Sequence, residues 1–167
     1  PQQWLMNHFQ IKNTKKSKLY SAFKLNLAHQ FYEESRISRK INSTELKNQL
    51  ENVNVYSANL DFKKDHDKHK IYYGAEAVYN RVNSWGNTFD ILTETHTTSV
   101  ARYPTSDWAI FALYLKYNRR INSKTVFTSG VRLNSYHLSS NFDHQNKFYA
   151  LPFNEVNINK QSANGIV

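Results

Sequence analysis

Hydrophobic and polar positions along this chain alternate with a period of two. From Asn54 to Asn80, the first half sets Tyr56, Ala58, Leu60 and Phe62 against Ser57, Asn59, Asp61 and Lys63. The second half sets Ile71, Tyr73, Ala75, Ala77 and Tyr79 against Tyr72, Gly74, Glu76, Val78 and Asn80. Successive strand side chains point to opposite faces, so each half predicts a ribbon with one apolar face. The connector from Lys64 to His69 is wholly polar, and the whole stretch reads as an antiparallel hairpin.

The pattern returns elsewhere. Lys18 to Tyr32 sets Leu19, Phe23, Leu25, Leu27 and Phe31 against Lys24, Asn26, Ala28 and Gln30. Trp108 to Asn118 sets Ala109, Phe111, Leu113, Leu115 and Tyr117 against Ala112, Tyr114, Lys116 and Asn118, with Ile110 out of pattern. Thr125 to His137 sets Phe127, Val131 and Leu133 against Thr128, Gly130, Arg132 and Asn134. Residues 4–12 read as a strand entry, and a last strand begins near Ile158, so about seven strands are predicted. The stretch from 18 to 32 would extend about 50 Å, well beyond a typical soluble strand.

The connectors alternate in length. Those at 13–17, 64–69 and 119–123 are short; those at 33–52, 81–107 and 138–157 are long and polar. Within the first long one, Ser43, Glu45 and the Leu46/Leu50 spacing suggest a helical turn. Structureless loops of that length argue against a compact soluble domain and suit transmembrane barrels. The interior charges Lys24, Asp61, Glu76 and Arg132 all fall on the polar parity, which a lipid-facing apolar band requires. The predicted fold is all-β: an antiparallel up-and-down transmembrane β-barrel segment, with residues 1–167 as one segment of a larger barrel domain. The rival is a water-soluble all-β binding or adhesion module with a dry core.

Composition sharpens this picture. Aromatic residues make up 14% of the chain, suited to pleated surfaces and lipid–water boundaries. The chain has no Cys, which excludes disulfides and Cys-ligated metal. No apolar run reaches the length of a spanning helix, a test that barrel strands escape. The chain opens with PQQW, without Met or signal peptide, and so reads as a processed product or a fragment. The net charge of +9 is concentrated around the three short turns, at Lys12, Lys15, Lys16 and Lys18, at Lys63, Lys64, Lys68 and Lys70, and at Lys116, Arg119, Arg120 and Lys124. A charged rim, solvated or against anionic headgroups, accounts for that better than nucleic acid, which would interleave aromatics with the basic residues.

No catalytic set emerges, and the expectation is a protein without enzymatic activity. Asp65, His66, Asp67 and His69 could ligate metal, but they sit among lysines in a predicted turn. Asp61 and Glu76 read as wall polarity, with Lys24 or Lys63 as partners, more readily than as an acid–base pair. His96 and His137 lack the spacing of haem ligands and read as surface histidines.

With the strands placed, the series NVNVYSANLDF, KIYYGAEAVYNRVNS, ARYPTSDWAIFALYLKYN, INSKTVFTSGVRLNSY, FYALPFNEVN and SANG resembles the barrel of TonB-dependent outer-membrane receptors, over nearly the whole chain. The resemblance implies a bacterial outer-membrane protein that imports a scarce nutrient, an iron chelate or haem first, cobalamin or glycan next. It also implies membrane lipid, TonB and a plug domain as partners, no nucleic acid and no bound cofactor. About seven strands cannot close the 22-stranded barrel of that family, and nothing here resembles the plug. On that reading Lys24, Asn26, Gln30, Asn59, Asp61, Glu76, Asn80, Arg132 and Asn134 face the lumen, and Trp85, Tyr103, Trp108 and Phe148 are ligand-binding candidates in the long loops. The short turns would be periplasmic and the long loops extracellular.

Overall fold

The computed structural model describes residues 1–142, with side chains through residue 141, and the strand backbone of 156–166. Eight strands run in chain order: β1 (Gln2–Asn13), β2 (Ala22–Arg39), β3 (Glu45–His66), β4 (His69–Asp90), β5 (Thr95–Ser99), β6 (Thr105–Arg120), β7 (Val126–Phe142) and β8 (Val156–Ile166). All belong to one antiparallel sheet of order β1-β2-β3-β4-β6-β7-β8, with β5 paired to β4 beyond the start of β6. Strands on the main path follow chain order, with only β5 intervening between β4 and β6, the up-and-down order predicted. The sheet is open at β1 and β8.

Register places the apolar positions in rows that cross the sheet. Ile11, Leu25, Leu60, Ala75, Leu113 and Leu133 stand opposite one another in one row. The next row is Phe9, Leu27, Ala58, Ala77 and Phe111, and on the other side runs Phe23, Phe62, Tyr73, Leu115 and Val131. The strand residues assigned to the apolar face from parity therefore share one face, whereas Leu19 precedes β2 and lies in the turn. No second layer covers it among the described residues: Phe111 and Leu113 are each 59% exposed, and the buried apolar residues are Ala101 and Ala112. Such a sheet has no core in the soluble sense.

Aromatic rings border this band at both ends. Tyr20, Phe23, Phe62 and Tyr73 pack together toward the short turns, with centroid separations between 5.0 and 6.0 Å. His29, Tyr56 and Tyr79 stack at the other end. From Tyr73 to Tyr79 and their neighbours the band spans roughly 20–27 Å of strand, or roughly 15–20 Å along the membrane normal at the tilt usual for barrels.

The long loops are where the structure departs from expectation. Residues 33–52 are not a loop and hold no helical turn; β2 and β3 stay paired from Glu33↔Asn52 to Arg39↔Leu46, and only 40–44 turns, with Asn42 left-handed at φ 64°. Asn tolerates that conformation through its short polar side chain. The 81–107 connection likewise continues as β4 to Asp90, folds back as β5, and then forms a short lobe over 100–104. The third, 138–157, begins as strand through Phe142; Phe148 lies outside the described residues. Alternation fails in these stretches because polar groups occupy both faces, while backbone pairing continues regardless of side chain. At 22 residues, β3 and β4 extend about 70 Å, roughly twice what a tilted strand needs in hydrocarbon.

At the opposite end the basic turns interlock. Lys64 Nζ donates to the carbonyls of Ser17 and Lys18 at 2.8 and 2.9 Å, and the Arg120 amide donates to the Lys68 carbonyl at 2.8 Å. Lys63 pairs with Asp65 two residues along its own strand at 2.6 Å, not with Asp61 or Glu76 as anticipated.

One close approach depends on glycine. A Cβ on Gly74 would collide with the Leu60 carbonyl oxygen and lie 2.7 and 2.8 Å from the Tyr114 ring and hydroxyl. Gly130 leaves 3.2 Å to its nearest neighbour. Gly74→Ala should therefore lower stability by about 1–3 kcal/mol, as overpacking does, and Gly130→Ala by clearly less. Thermal unfolding of the two variants checks the order.

Candidate functional site

The face opposite the apolar band carries a connected polar network. Tyr114 lies across Gly74, and its hydroxyl donates to Asp61 Oδ1 at 2.6 Å. Glu76 stands opposite Asn59, whose amide donates to Glu76 Oε2 at 3.5 Å. Arg132 reaches Glu76 Oε1 at 3.3 Å and donates through Nε to Asn134 Oδ1 at 2.7 Å. Gln10 Nε2 donates to Asn26 Oδ1 at 2.6 Å. The nine residues assigned to this face from parity thus share it: Lys24 faces Asp61, Asn26 faces Asn59, and Gln30, Asn80 and Trp108 lie in one row across Val55. Glu76 is partnered by Arg132 and Asp61 by Tyr114, where lysines were anticipated. The half-exposed Glu76–Arg132 ion pair contributes at most about 1 kcal/mol.

Above the network, residues 100–104 fold across the polar face. Ser84 Oγ accepts from the amides of Arg102 and Tyr103 at 3.2 and 3.4 Å, and Gln49 Nε2 donates to the Val100 carbonyl at 3.3 Å. Gly86 admits the lobe, since a Cβ there would meet the Val100 carbonyl oxygen. Ser84, Gly86 and Thr88 are consequently buried while Trp85 and Asn87 between them are exposed. Arg102 lies over the Tyr103 ring at 5.0 Å. The small residues Ser84, Gly86 and Thr88 on one parity are the sequence signal for this covering segment.

Under the lobe sits Glu51, opposite both Glu34 and Ser84, 4% exposed, its carboxylate without a hydrogen bond among the described residues. Glu34 takes the available donors: Tyr32 hydroxyl at 3.0 Å and Arg36 Nε at 2.5 Å. The Arg36 guanidinium holds the Glu34 carboxyl below its ordinary range. At the hairpin tips, Asp90 accepts from Thr44 hydroxyl at 2.8 Å and from the Leu92 and Thr93 amides, which lower its pKa in the same way.

The ligand-binding candidates are not brought together. Trp108 is on the polar face, Tyr103 is in the lobe, and Trp85 points from the opposite face of β4. His96 packs on Phe89 at 4.7 Å, and His66 lies 3.9 Å from Asp67. No group of three His, Cys, Asp or Glu side chains capable of holding a metal occurs among the described residues.

Two depressions lie on the apolar face instead. One of about 800 Å³ lies among Leu25, Leu60, Ala75, Ala77, Phe111 and Leu113. A second of about 710 Å³ adjoins it over Ala58 and Ala77 and rises to Tyr56 and Tyr79. They are troughs left where alanines replace larger side chains; the first is lined mainly by hydrocarbon, and the second also meets Asn7 and His29 at its upper end.

No family model matches this chain, and no curated protein matches it in sequence. Among solved structures it is similar to a chain described as copper transporter OprC, with a TM-score of 0.76 at 10% identity, over 99% of this chain and 26% of that one. The fold is thus that of a run of adjacent strands in a transporter's β-barrel wall. This chain spans about a quarter of that protein's length.

Two outcomes follow. Tyr114→Phe should cost about 1.5–3 kcal/mol, because Asp61 loses a donor to a charged acceptor, measured by thermal unfolding against Tyr117→Phe at the turn end. Glu34 and Asp90 have folded pKa values below their unfolded ones. Their stabilisation is therefore complete above the ordinary carboxylate range and is lost as pH falls through the lowered values. Amide protection at 40–44 and 90–94, corrected for the intrinsic pH dependence of exchange, should fall on acidification through that window, and Thr44→Ala should shift its onset at Asp90 to higher pH.

Proposed function

We propose that this chain forms part of the wall of a bacterial outer-membrane transporter of the TonB-dependent type. The observation that carries the reading is the pairing of two unlike faces on one coreless sheet. Rows of exposed and half-exposed Leu, Phe and Ala cross six strands, and polar clusters back them. In water the exposed rows would represent a large uncompensated apolar area. Against lipid they are solvated, and the polar face lines a wet lumen. The soluble module alternative requires a second layer over Phe111 and Leu113, and the described residues supply none.

The lumen network then has a role in transport. Asp61, Glu76, Arg132 and Asn134 are half-exposed hydrogen-bonding groups on a rigid wall, suited to docking a plug by bonds individually weak enough to release under TonB-driven force. The cargo we infer is a scarce metal-bearing nutrient, an iron chelate or haem by the sequence resemblance; the structural neighbour is named for copper. Cobalamin or glycan cargo is the second choice. Capture falls to the lobe and the inward aromatics Tyr103 and Trp108. Trp85, on the other face, is removed from that set.

The basic turns at 14–21, 67–68 and 121–125 are placed on the periplasmic side, where inner-leaflet headgroups attract them over about a Debye length. The extended ribbons are placed outside. In intact cells producing the full-length protein, an epitope inserted at 40–44 should be labelled and one at 67–68 silent. The reverse pattern would invert the barrel. Uptake assays with an iron chelate, haem and copper, against a strain lacking the protein, test the cargo; accumulation unchanged for all three would remove the metal reading.

A further inference from the structure

The ribbon formed by β3 and β4 has an open face above the apolar band, and its chemistry is not that of the band. On that face Trp85 stands opposite Leu50, with Asn83 opposite Asn52 on one side and Asn87 opposite Asn48 on the other. Asn83 Nδ2 donates to Asn52 Oδ1 at 3.2 Å, which orients the first amide pair beside the ring. Trp85 is 48% exposed, whereas its neighbours Ser84 and Gly86 are buried under the lobe on the other face. The indole is thus left outward by a structure that covers its flanking residues. A flat aromatic surface flanked by carboxamides has the composition of a saccharide platform: the ring takes the apolar face of a sugar, and the amides, all but the buried Asn48 Oδ1, donate to and accept from its hydroxyls.

Height selects the source of the sugar. Trp85 is six residues beyond Tyr79, which stacks with Tyr56 in the upper aromatic border. Six residues span about 20 Å of strand, or roughly 15 Å along the membrane normal at the tilt usual for barrels. Phospholipid headgroups reach only about 6–7 Å beyond the hydrocarbon, so they end below Trp85. Directly beneath the platform, on the same two strands and the same face, the apolar troughs over Ala58 and Ala77 rise to Tyr56 and Tyr79. Hydrocarbon lies below and sugar chemistry above on one surface, with the Arg81–Asp107 pair between them on the same face.

We propose that the outward face of the β3–β4 ribbon binds a membrane-anchored glycolipid of the outer leaflet. Its acyl chains lie in the Ala58/Ala77 troughs and its saccharide rests on Trp85 between the Asn52–Asn83 and Asn48–Asn87 pairs. This inference rests on the outer-membrane reading above.

The test uses the full-length protein reconstituted in bilayers with lipopolysaccharide, and counts the glycolipid retained per protein after extraction in mild detergent. Native protein should retain complete lipopolysaccharide, and Trp85→Ala should retain about tenfold less, with Asn83→Ala intermediate. A form truncated to its lipid anchor should be held equally by native protein and Trp85→Ala. Equal retention of complete lipopolysaccharide by native and Trp85→Ala proteins overturns the proposal. Equally tight binding of the free, detached oligosaccharide also overturns it, because the occupant would then not be membrane-anchored. Heat-modifiable gel mobility confirms that Trp85→Ala is folded, and Trp108→Ala, on the other face, should retain glycolipid as the native protein does. Failure of the full-length protein to enter bilayers removes the barrel reading and this one together. Entry and nutrient uptake with unchanged Trp85→Ala retention remove this one alone.

Discussion

Backbone pairing between neighbouring strands is the interaction on which everything else in this structure depends. The sheet has one layer and almost no buried apolar side chains, so packing cannot hold it together as it would a soluble domain. Strand ladders satisfy the main-chain donors and acceptors across the sheet, and in a hydrocarbon surrounding that satisfaction is obligatory. Side chains are then free to suit the medium on each face. That freedom allows one face to be Leu, Phe and Ala while the other carries Asp61, Glu76 and Arg132. The open edges at β1 and β8 present unpaired ladders that further strands would complete.

The same dependence explains why some of the fold was legible in the sequence and some was not. Where the two faces meet different solvents, the chain alternates, and residues such as Leu25, Leu60, Ala75 and Leu113 could be assigned a shared face from parity alone. Above the band polar residues stand on both faces, so alternation carries no information. Residues 33–52 and 81–90 accordingly read as loop while their backbones stay paired. Strand β5 was hidden for the same reason, in a Thr-rich segment with no apolar stripe. The ion-pair partners were misassigned because parity gives a face but not a register. Only the register sets Arg132 within reach of Glu76 and lays Tyr114 across Gly74 to Asp61.

The site divides along the sheet. Treating Trp85, Tyr103 and Trp108 as one aromatic cluster ignored parity, which puts Trp85 on the other face from Trp108. Once the faces are separated, each has coherent chemistry. Inward are the wall network, the lobe at 100–104 and the crowded carboxylates Glu34 and Glu51; outward are hydrocarbon rows, an aromatic border and the amide-framed Trp85. The lobe links the two, since covering Ser84 and Gly86 on one side is what leaves Trp85 and Asn87 standing open on the other.

The central claim is that one face of this sheet meets lipid and the other water. Single spin labels placed in turn at residues 109–116 of β6, in the full-length protein in bilayers, measure this directly. The account predicts a period of two: labels at 109, 111, 113 and 115 relaxed by oxygen dissolved in the lipid, and those at 110, 112, 114 and 116 by a water-soluble nickel complex. Uniform accessibility, or alternation of the opposite phase, would contradict it.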